Sequence, residues 1–331
     1  MGRALVTGAT GLVGSYIVER LRNDKWDVRA LVRSRASWLE SLGVECVNGD
    51  VLDAESLAGA ARDCDVIFHT AAAVTTGGGW EAFRRLNIDG TANAIAAAER
   101  AKARLVHLSS VAVYGPEARY QKSVKTDETM TLGPLPEEMY YARSKRDSEA
   151  LVMEAHTAGR IWATAVRPDV IYGRRDRQFV PRIARILTLG IAPSIDRGKA
   201  TLAMVHGANV ADGAVRAALS ERAGGRAYNL ANDFDVTARD FFLLAGVGLG
   251  KRVRLFEISK PAAQRTIGGA IMALKTLSMG RMSVLSKDSL DFLMRDNPFT
   301  SERARREIGW APTMRHEEGI PDAFRWWREN H

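Results

Sequence analysis

The chain has 331 residues, 46% hydrophobic and 26% charged, which is enough apolar mass for a full core in one large or two intimately joined domains. A formal net charge of +8 suits nucleic acid, anionic lipid or a phosphorylated cofactor, but the arginines are scattered and no basic helix carries interleaved aromatics, so nucleic-acid binding is not expected. Cys46 and Cys64 read as free thiols in a reducing cytosol, no metal site is expected, and the N-terminus enters an apolar run without a secretory leader, which predicts a cytoplasmic location.

Apolar runs at 3–7, 27–32, 44–48, 65–68, 104–108 and 161–166, with a seventh near 226–230, alternate with helical stretches. That alternation predicts an α/β fold, a Rossmann-type doubly wound parallel sheet. The first run ends in TGATGLVG at 7–14, and Val13, Ile17 and Leu21 then recur at helical spacing. A strand that turns sharply into a helix beneath a pyrophosphate needs residues without a Cβ at the turn, at the contact and at the helix–strand crossing. Gly8, Gly11 and Gly14 fit those places, in GxxGxxG rather than GxGxxG spacing, and the helix that follows offers free amides and a positive dipole end to phosphate.

The second strand ends in ALVRSR, with Arg33 and Arg35 following Val32. These arginines are either solvated surface charges or acceptors of a 2′-phosphate, since an acidic residue at that strand end would bond the ribose hydroxyls and repel the phosphate. Gly77 to Gly79 form a loop after the fourth strand, either a flexible wall beside a ligand or a loose connection. Helices are predicted over 80–101 and 139–157; Gly90, Ala94, Ala97 and Ala101 permit close packing, on the sheet or against a second copy in a homodimer. The fifth strand ends in Ser109 and Ser110, at the edge where ligands bind in open α/β sheets, with Ser110 the candidate and Ser109 a backbone-bonded strand end. In YARSK, Tyr141 precedes Lys145 by one helical turn, and an ammonium there lowers the phenol from its usual value of about 10.

Past about residue 174 come a helix at 179–189, a strand at 204–206, a helix at 209–220 and a C-terminal block that should roof a substrate pocket. The division expected is a nucleotide-binding unit over 1–173, its sheet completed near 203–230, and a substrate-binding region over 174–331. Within 258–282, Ile267, Ile271 and Leu274 form an apolar stripe ringed by charges that exclude a membrane span; it is core packing, or a lid or shallow membrane contact. His107, His206 and Trp80 read as structural residues that lie within reach of a substrate.

TGATGLVG, GDV at 49–51, HTAAAV at 69–74, LNIDGT at 86–91, SSVAVYG at 109–115, YARSK and RPDVIYG at 167–173 stand in the order of the extended short-chain dehydrogenase/reductase family, which the chain resembles over nearly its whole length. The resemblance implies that Tyr141 exchanges the carbinol proton, Lys145 holds the nicotinamide ribose, Ser110 orients the substrate oxygen and Asn87 supports the active-site helix. It places the cofactor at Gly8, Thr10, Gly11, Leu12, Val13 and Gly14, with pyrophosphate over Gly11 to Val13, adenine at Asp50 and Val51, ribose beside Ala71, Ala72 and Ala73, and the carboxamide near Pro168 and Val170. Val32 stands where an NAD-type member carries aspartate, so NADP(H) is the expected cofactor, with NAD(H) the alternative.

Sugar-nucleotide members carry asparagine where this chain has Val170, and an arginine near a position where Lys199 is the only cation. VRALVRS and MVHGANVAD resemble instead the 3β-hydroxysteroid dehydrogenase and dihydroflavonol reductase branch. The expected function is therefore an NADP(H)-dependent interconversion of a ketone and a secondary alcohol on a bulky hydrophobic substrate. A sugar-nucleotide epimerase or dehydratase using NAD, and a non-catalytic redox sensor, are the alternatives.

Overall fold

The computed structural model describes residues 2–75, 77–116, 125–231, 234–262 and 292–331. Strands β1 (Arg3–Thr7), β2 (Asp27–Val32), β3 (Glu45–Asn48), β4 (Val66–His69), β5 (Arg104–Leu108), β6 (Ala163–Pro168) and β10 (Ala227–Leu230) form one parallel sheet in the order β10-β6-β5-β4-β1-β2-β3. All seven lie where the apolar runs predict them, because a parallel strand covered on both faces must be apolar along its length. Leu5 and Ile67 face one core layer, Val6 and Phe68 the other. Strand order reverses between β1 and β4, and the crevice at such a switch point is where ligands bind.

Helices α1 (Leu12–Asn23) and α8 (Gly207–Leu219) cover one face through Ile17, Leu21, Val210 and Ala214. The other face is covered by α3 (Ala54–Ala61), α5 (Gly90–Ala101) and α6 (Tyr140–Thr157) through Leu57, Ala94 and Val152. The helix predicted over 80–101 is not continuous: α4 (Gly79–Phe83) passes through a π-helical turn, Arg84–Asp89, before α5 begins. Gly90, Ala94 and Ala97 are buried, and a Cβ on Gly90 would lie 3.2 Å from Val51. Those three small residues are taken up by packing within the chain, whereas Ala101 is half-buried.

The stretch expected to complete the sheet near 203–230 divides. Ala227–Leu230 joins it as β10, whereas β9 (Met204–His206) pairs with β7 (Val170–Tyr172) in a separate two-stranded sheet. A third parallel pair joins β8 (Ile191–Ile195) to β11 (Arg254–Ile258). Around them α7 (Phe179–Leu187), α9 (Ala238–Leu249) and α11 (His316–Asn330) enclose a second core containing Val180, Phe241 and Phe324. Between them in sequence, α10 (Glu302–Ile308) ends on Gly309 at φ 63°. Residues 263–291, and with them the stripe of Ile267, Ile271 and Leu274, lie outside the described residues. Among the described residues no helix is long and apolar enough to cross a membrane.

Candidate active site

The glycine turn has the geometry a phosphate cradle requires. Gly8 has φ +68°, and a Cβ there would lie 2.8 Å from the Ala71 nitrogen. At Gly14 a Cβ would come within 2.3 Å of the Gly8 carbonyl oxygen, so helix and turn touch backbone to backbone. Gly11, whose N–H donates to the Gly8 carbonyl at 2.9 Å, precedes α1 without any side-chain cap. The first amides of α1, at Leu12 and Val13, are thus left for an anion, and the residues fit a dinucleotide pyrophosphate.

The next segments lie at the same sheet edge. Asp50 and Val51 follow β3; the Asp50 carboxylate accepts from the Leu52 N–H at 2.9 Å. Ala71, Ala72 and Ala73 follow β4, where the Ala71 N–H donates to Thr7 Oγ1 at 3.3 Å. Arg33 is exposed, directly after buried Val32, and has no ion-pair partner among the described residues. Arg35, in contrast, pairs with Glu40 at 3.1 Å. The two arginines that the sequence presents alike are therefore inequivalent. Pro168 closes β6 and Val170 opens β7.

At the end of β5 the backbone of Ser110 is extended, and its hydroxyl accepts from the Ala112 N–H at 3.1 Å, capping a short 3-10 turn, Val111–Tyr114. That arrangement fixes Ser110 Oγ while leaving its proton to donate. Helix α6 begins at Tyr140, which puts Tyr141 in its first turn and Lys145 one turn further. Lys145 is buried, its ammonium donates to the Leu108 carbonyl at 2.6 Å, and burial, opposed by the nearby Glu149 carboxylate, brings its pKa down to about 8. The π-helical turn brings Asn87 inward. Its side chain accepts from the Ala73 N–H at 2.7 Å, donates to the Ala73 carbonyl at 3.0 Å, and donates to Ser144 Oγ of α6 at 2.9 Å. Asn87 therefore ties the segment after β4 to the helix carrying Tyr141 and Lys145. A π-helical turn costs regular helix geometry, and such turns recur at functional sites.

Sequence reasoning missed a buried network behind this edge. Ser109 does donate its N–H to the Val166 carbonyl at 2.8 Å, as expected of a strand end, but its hydroxyl also donates to Glu149 at 2.5 Å. Arg167 of β6 binds the same carboxylate, Nε to Oε2 at 3.0 Å, and donates to the Tyr114 hydroxyl at 2.9 Å, which in turn donates to Asn229. The one local signal was an acid a helical turn beyond Lys145. His107 and His206 are structural: His107 bonds Ser148 at 3.2 Å and is held neutral by burial, and His206 caps α8. Trp80 lies under the Arg143 guanidinium, 4.5 Å from its centre.

A seven-stranded doubly wound sheet carrying a glycine phosphate cradle and a Ser–Tyr–Lys set at its C-terminal edge defines a class, the NAD(P)-dependent dehydrogenases and reductases of the extended short-chain type. Residues 5–235 match the model of the 3-beta hydroxysteroid dehydrogenase/isomerase family, and the chain belongs to that family. It is 30% identical, over 98% of its length and 96% of the relative's, to a 4-hydroxy-2-methyl-3-oxo-4-farnesyl-3,4-dihydroquinoline-1-oxide ketoreductase of Stigmatella aurantiaca. It is 29% identical, over 96% of its length and 97% of the relative's, to a 2-alkyl-3-oxoalkanoate reductase of Stenotrophomonas maltophilia. A UDP-glucuronic acid 4-epimerase of Bacillus cereus, solved with UDP-glucuronic acid and NAD, shares the fold at TM-score 0.74 and 18% identity, with 99% of this chain and 100% of that one covered.

Proposed function

We propose that the protein reduces a ketone to a secondary alcohol on a bulky, largely hydrophobic substrate, with NADP(H) as its cofactor. The observation that carries this reading is the meeting of the phosphate cradle with Ser110, Tyr141 and Lys145 at one sheet edge. When bound, the nicotinamide supplies a hydride to the carbonyl carbon, or takes it back in the reverse direction.

The protein's residues do the rest. Tyr141 gives its phenolic proton to the substrate oxygen as the alkoxide forms, and Ser110 Oγ donates a hydrogen bond to the same oxygen. Lys145, protonated at neutral pH, favours loss of that proton and offers its ammonium to the ribose. Asn87 keeps the helix of Tyr141 in register with the segment after β4. Arg33, with no acid at Val32 to repel a phosphate, meets the 2′-phosphate.

The hydrophobic substrate class is supported by the two ketoreductases reported above and by Val170, an apolar residue where a diphosphate would need a donor. An aqueous compartment with reduced thiols fits the free Cys46 and Cys64, the latter with its thiol pushed up to about 11 by burial. The test is to denature untreated protein, identify any released nucleotide by mass spectrometry, and follow NADPH oxidation with 2-alkyl-3-oxo acids and steroid ketones. An empty site or partial NADP(H), with NADPH consumed, supports the proposal. Stoichiometric NAD⁺ with no ketone turnover refutes it, because an epimerase regenerates and retains its cofactor while a reductase exchanges it every cycle.

A further inference from the structure

A cavity of about 440 Å³ opens beside the glycine turn, lined by Thr10, Trp38, Arg175, Arg177, Trp326 and His331. These residues come from the turn after β1, from α2 (Ser37–Glu40) just beyond β2, from the loop after β7, and from the end of α11.

The charges of the β7 loop are compensated one by one, with a single exception. Arg174 pairs with Asp322 at 2.7 Å. Arg175 lies 4.4 Å over the Trp38 ring and pairs with Glu19 at 2.6 Å. Asp176 also borders the cavity, but its buried carboxylate accepts from the amides of Gln178, Phe179 and Val180 and so caps α7. Arg177 is exposed; it donates to the Thr10 carbonyl at 3.3 Å and has no carboxylate partner among the described residues. One guanidinium, held at the glycine turn by a neutral acceptor, is left facing the space.

In this fold the adenosine ribose lies between the glycine turn and the end of β2, and the group at its 2′ position is read there. Thr10, in the glycine turn, and Trp38, in α2 beyond the end of β2, both line the cavity. We propose that Arg177 is a second cation for the 2′-phosphate of NADP(H), reaching it from the loop after β7 while Arg33 reaches it from the end of β2. This inference rests on the NADP(H) reading above. Its consequence is that cofactor choice is set partly by the C-terminal half of the chain. A planar guanidinium can keep the Thr10 carbonyl on one edge and take phosphate oxygens on the other.

The experiment is isothermal titration of the full chain with NADP⁺, NAD⁺ and adenosine 2′,5′-bisphosphate, using wild type, Arg177→Ala, Arg177→Lys and Arg33→Ala. Loss of one charged contact to phosphate should weaken NADP⁺ and the bisphosphate roughly 10- to 100-fold in Arg177→Ala. NAD⁺ affinity should stay within about twofold, which also reports an intact fold, and Arg177→Lys should retain part of the preference. Equal weakening of NAD⁺ and NADP⁺ would put Arg177 on the pyrophosphate and overturn the inference, as would no change for any ligand. If wild type itself binds NADP⁺ no more tightly than NAD⁺, the cofactor reading fails and the inference with it. If Arg33→Ala alone abolishes a preference that wild type shows, only the inference fails.

Discussion

The Lys145 ammonium donates to the carbonyl of Leu108 at 2.6 Å, so the last peptide of β5 and helix α6 share one buried charge. Ser109 and Ser110 follow that peptide directly, and the same contact therefore sets the height at which the serine hydroxyl meets the helix bearing Tyr141. Burial makes the charge costly, and Glu149 offsets part of the cost.

That cost has a pH signature. Lys145 is lowered to about 8 from an ordinary 10.5, so the unfolded chain holds this proton more tightly than the folded one. Unfolding then takes up a proton at this site between those values, and the Lys145 contribution to stability rises with pH across the window, by about 3 kcal/mol if the whole shift is expressed, against the opposite slope of the Cys64 thiol, which burial pushes up to about 11. Below about 8 the penalty is constant, because both states are protonated. Denaturant titrations of the cofactor-free protein at pH 7 to 10.5 should show this rise as a growing difference between wild type and Lys145→Met. Parallel curves for the two proteins would mean that the lysine is not desolvated as the structure has it.

Glu149 acts on the same group from the next turn of α6. Glu149→Ala would strand the Arg167 guanidinium in the interior, and breaking such a buried pair from one side costs roughly 3–5 kcal/mol. Glu149→Gln keeps hydrogen-bonding capacity but removes the negative charge that supports the Lys145 ammonium. The titration window of Lys145 should then move below about 8, and the pH profile of turnover should shift in the same direction. A destabilised Glu149→Gln enzyme with an unmoved profile would make Glu149 a packing residue alone.

The glycines divide sharply by surroundings. A Cβ at Gly14 meets the Gly8 carbonyl oxygen at 2.3 Å, a backbone atom that no side-chain rotation can relieve, whereas a Cβ at Gly77 meets nothing within 4 Å. Gly14→Ala should destabilise the fold by about 1–3 kcal/mol or more and weaken nucleotide binding through the displaced turn. Gly77→Ala should be neutral or stabilising by up to about 1 kcal/mol, since it restricts the unfolded chain. Thermal unfolding with and without nucleotide separates the two, and equal effects would contradict the packing of α1 on the turn.

The sheet and the cradle were legible because both are written locally: the strands as apolar runs bounded by polar turns, the cradle as three glycines three residues apart. Ser110, Tyr141 and Lys145 were legible for the same reason, each standing at a strand end or on one helical face. The π-helical turn at Arg84–Asp89 was not, because a single extra residue in a helix leaves the apolar periodicity on either side intact. Ser109 with Glu149, and Glu149 with Arg167, are contacts between separate elements whose partners share no sequence spacing. The cavity beside Thr10 was hidden in the same way, its walls drawn from four segments between the first strand and the last helix. Arg33 and Arg35 look alike in ALVRSR, and only Glu40, brought back by α2, tells them apart.

Tyr141 carries the most demanding assignment. Asn87 pins its helix through Ser144, Lys145 stands one turn away with a charge that burial has made labile, and Ser110 is fixed on the Ala112 amide. Each of these partners survives removal of the phenolic oxygen. Tyr141→Phe should therefore fold, bind NADPH within about twofold of wild type, and lose turnover by roughly 10²- to 10⁴-fold, the usual contribution of a positioned proton donor. Steady-state reduction of a hydrophobic ketone, with nucleotide affinity measured in parallel by titration, reads both quantities. Turnover within tenfold of wild type would remove Tyr141 from the proton transfer and leave the ketone oxygen to another donor. Loss of nucleotide binding in step with turnover would instead give the phenol a structural part in the cofactor site.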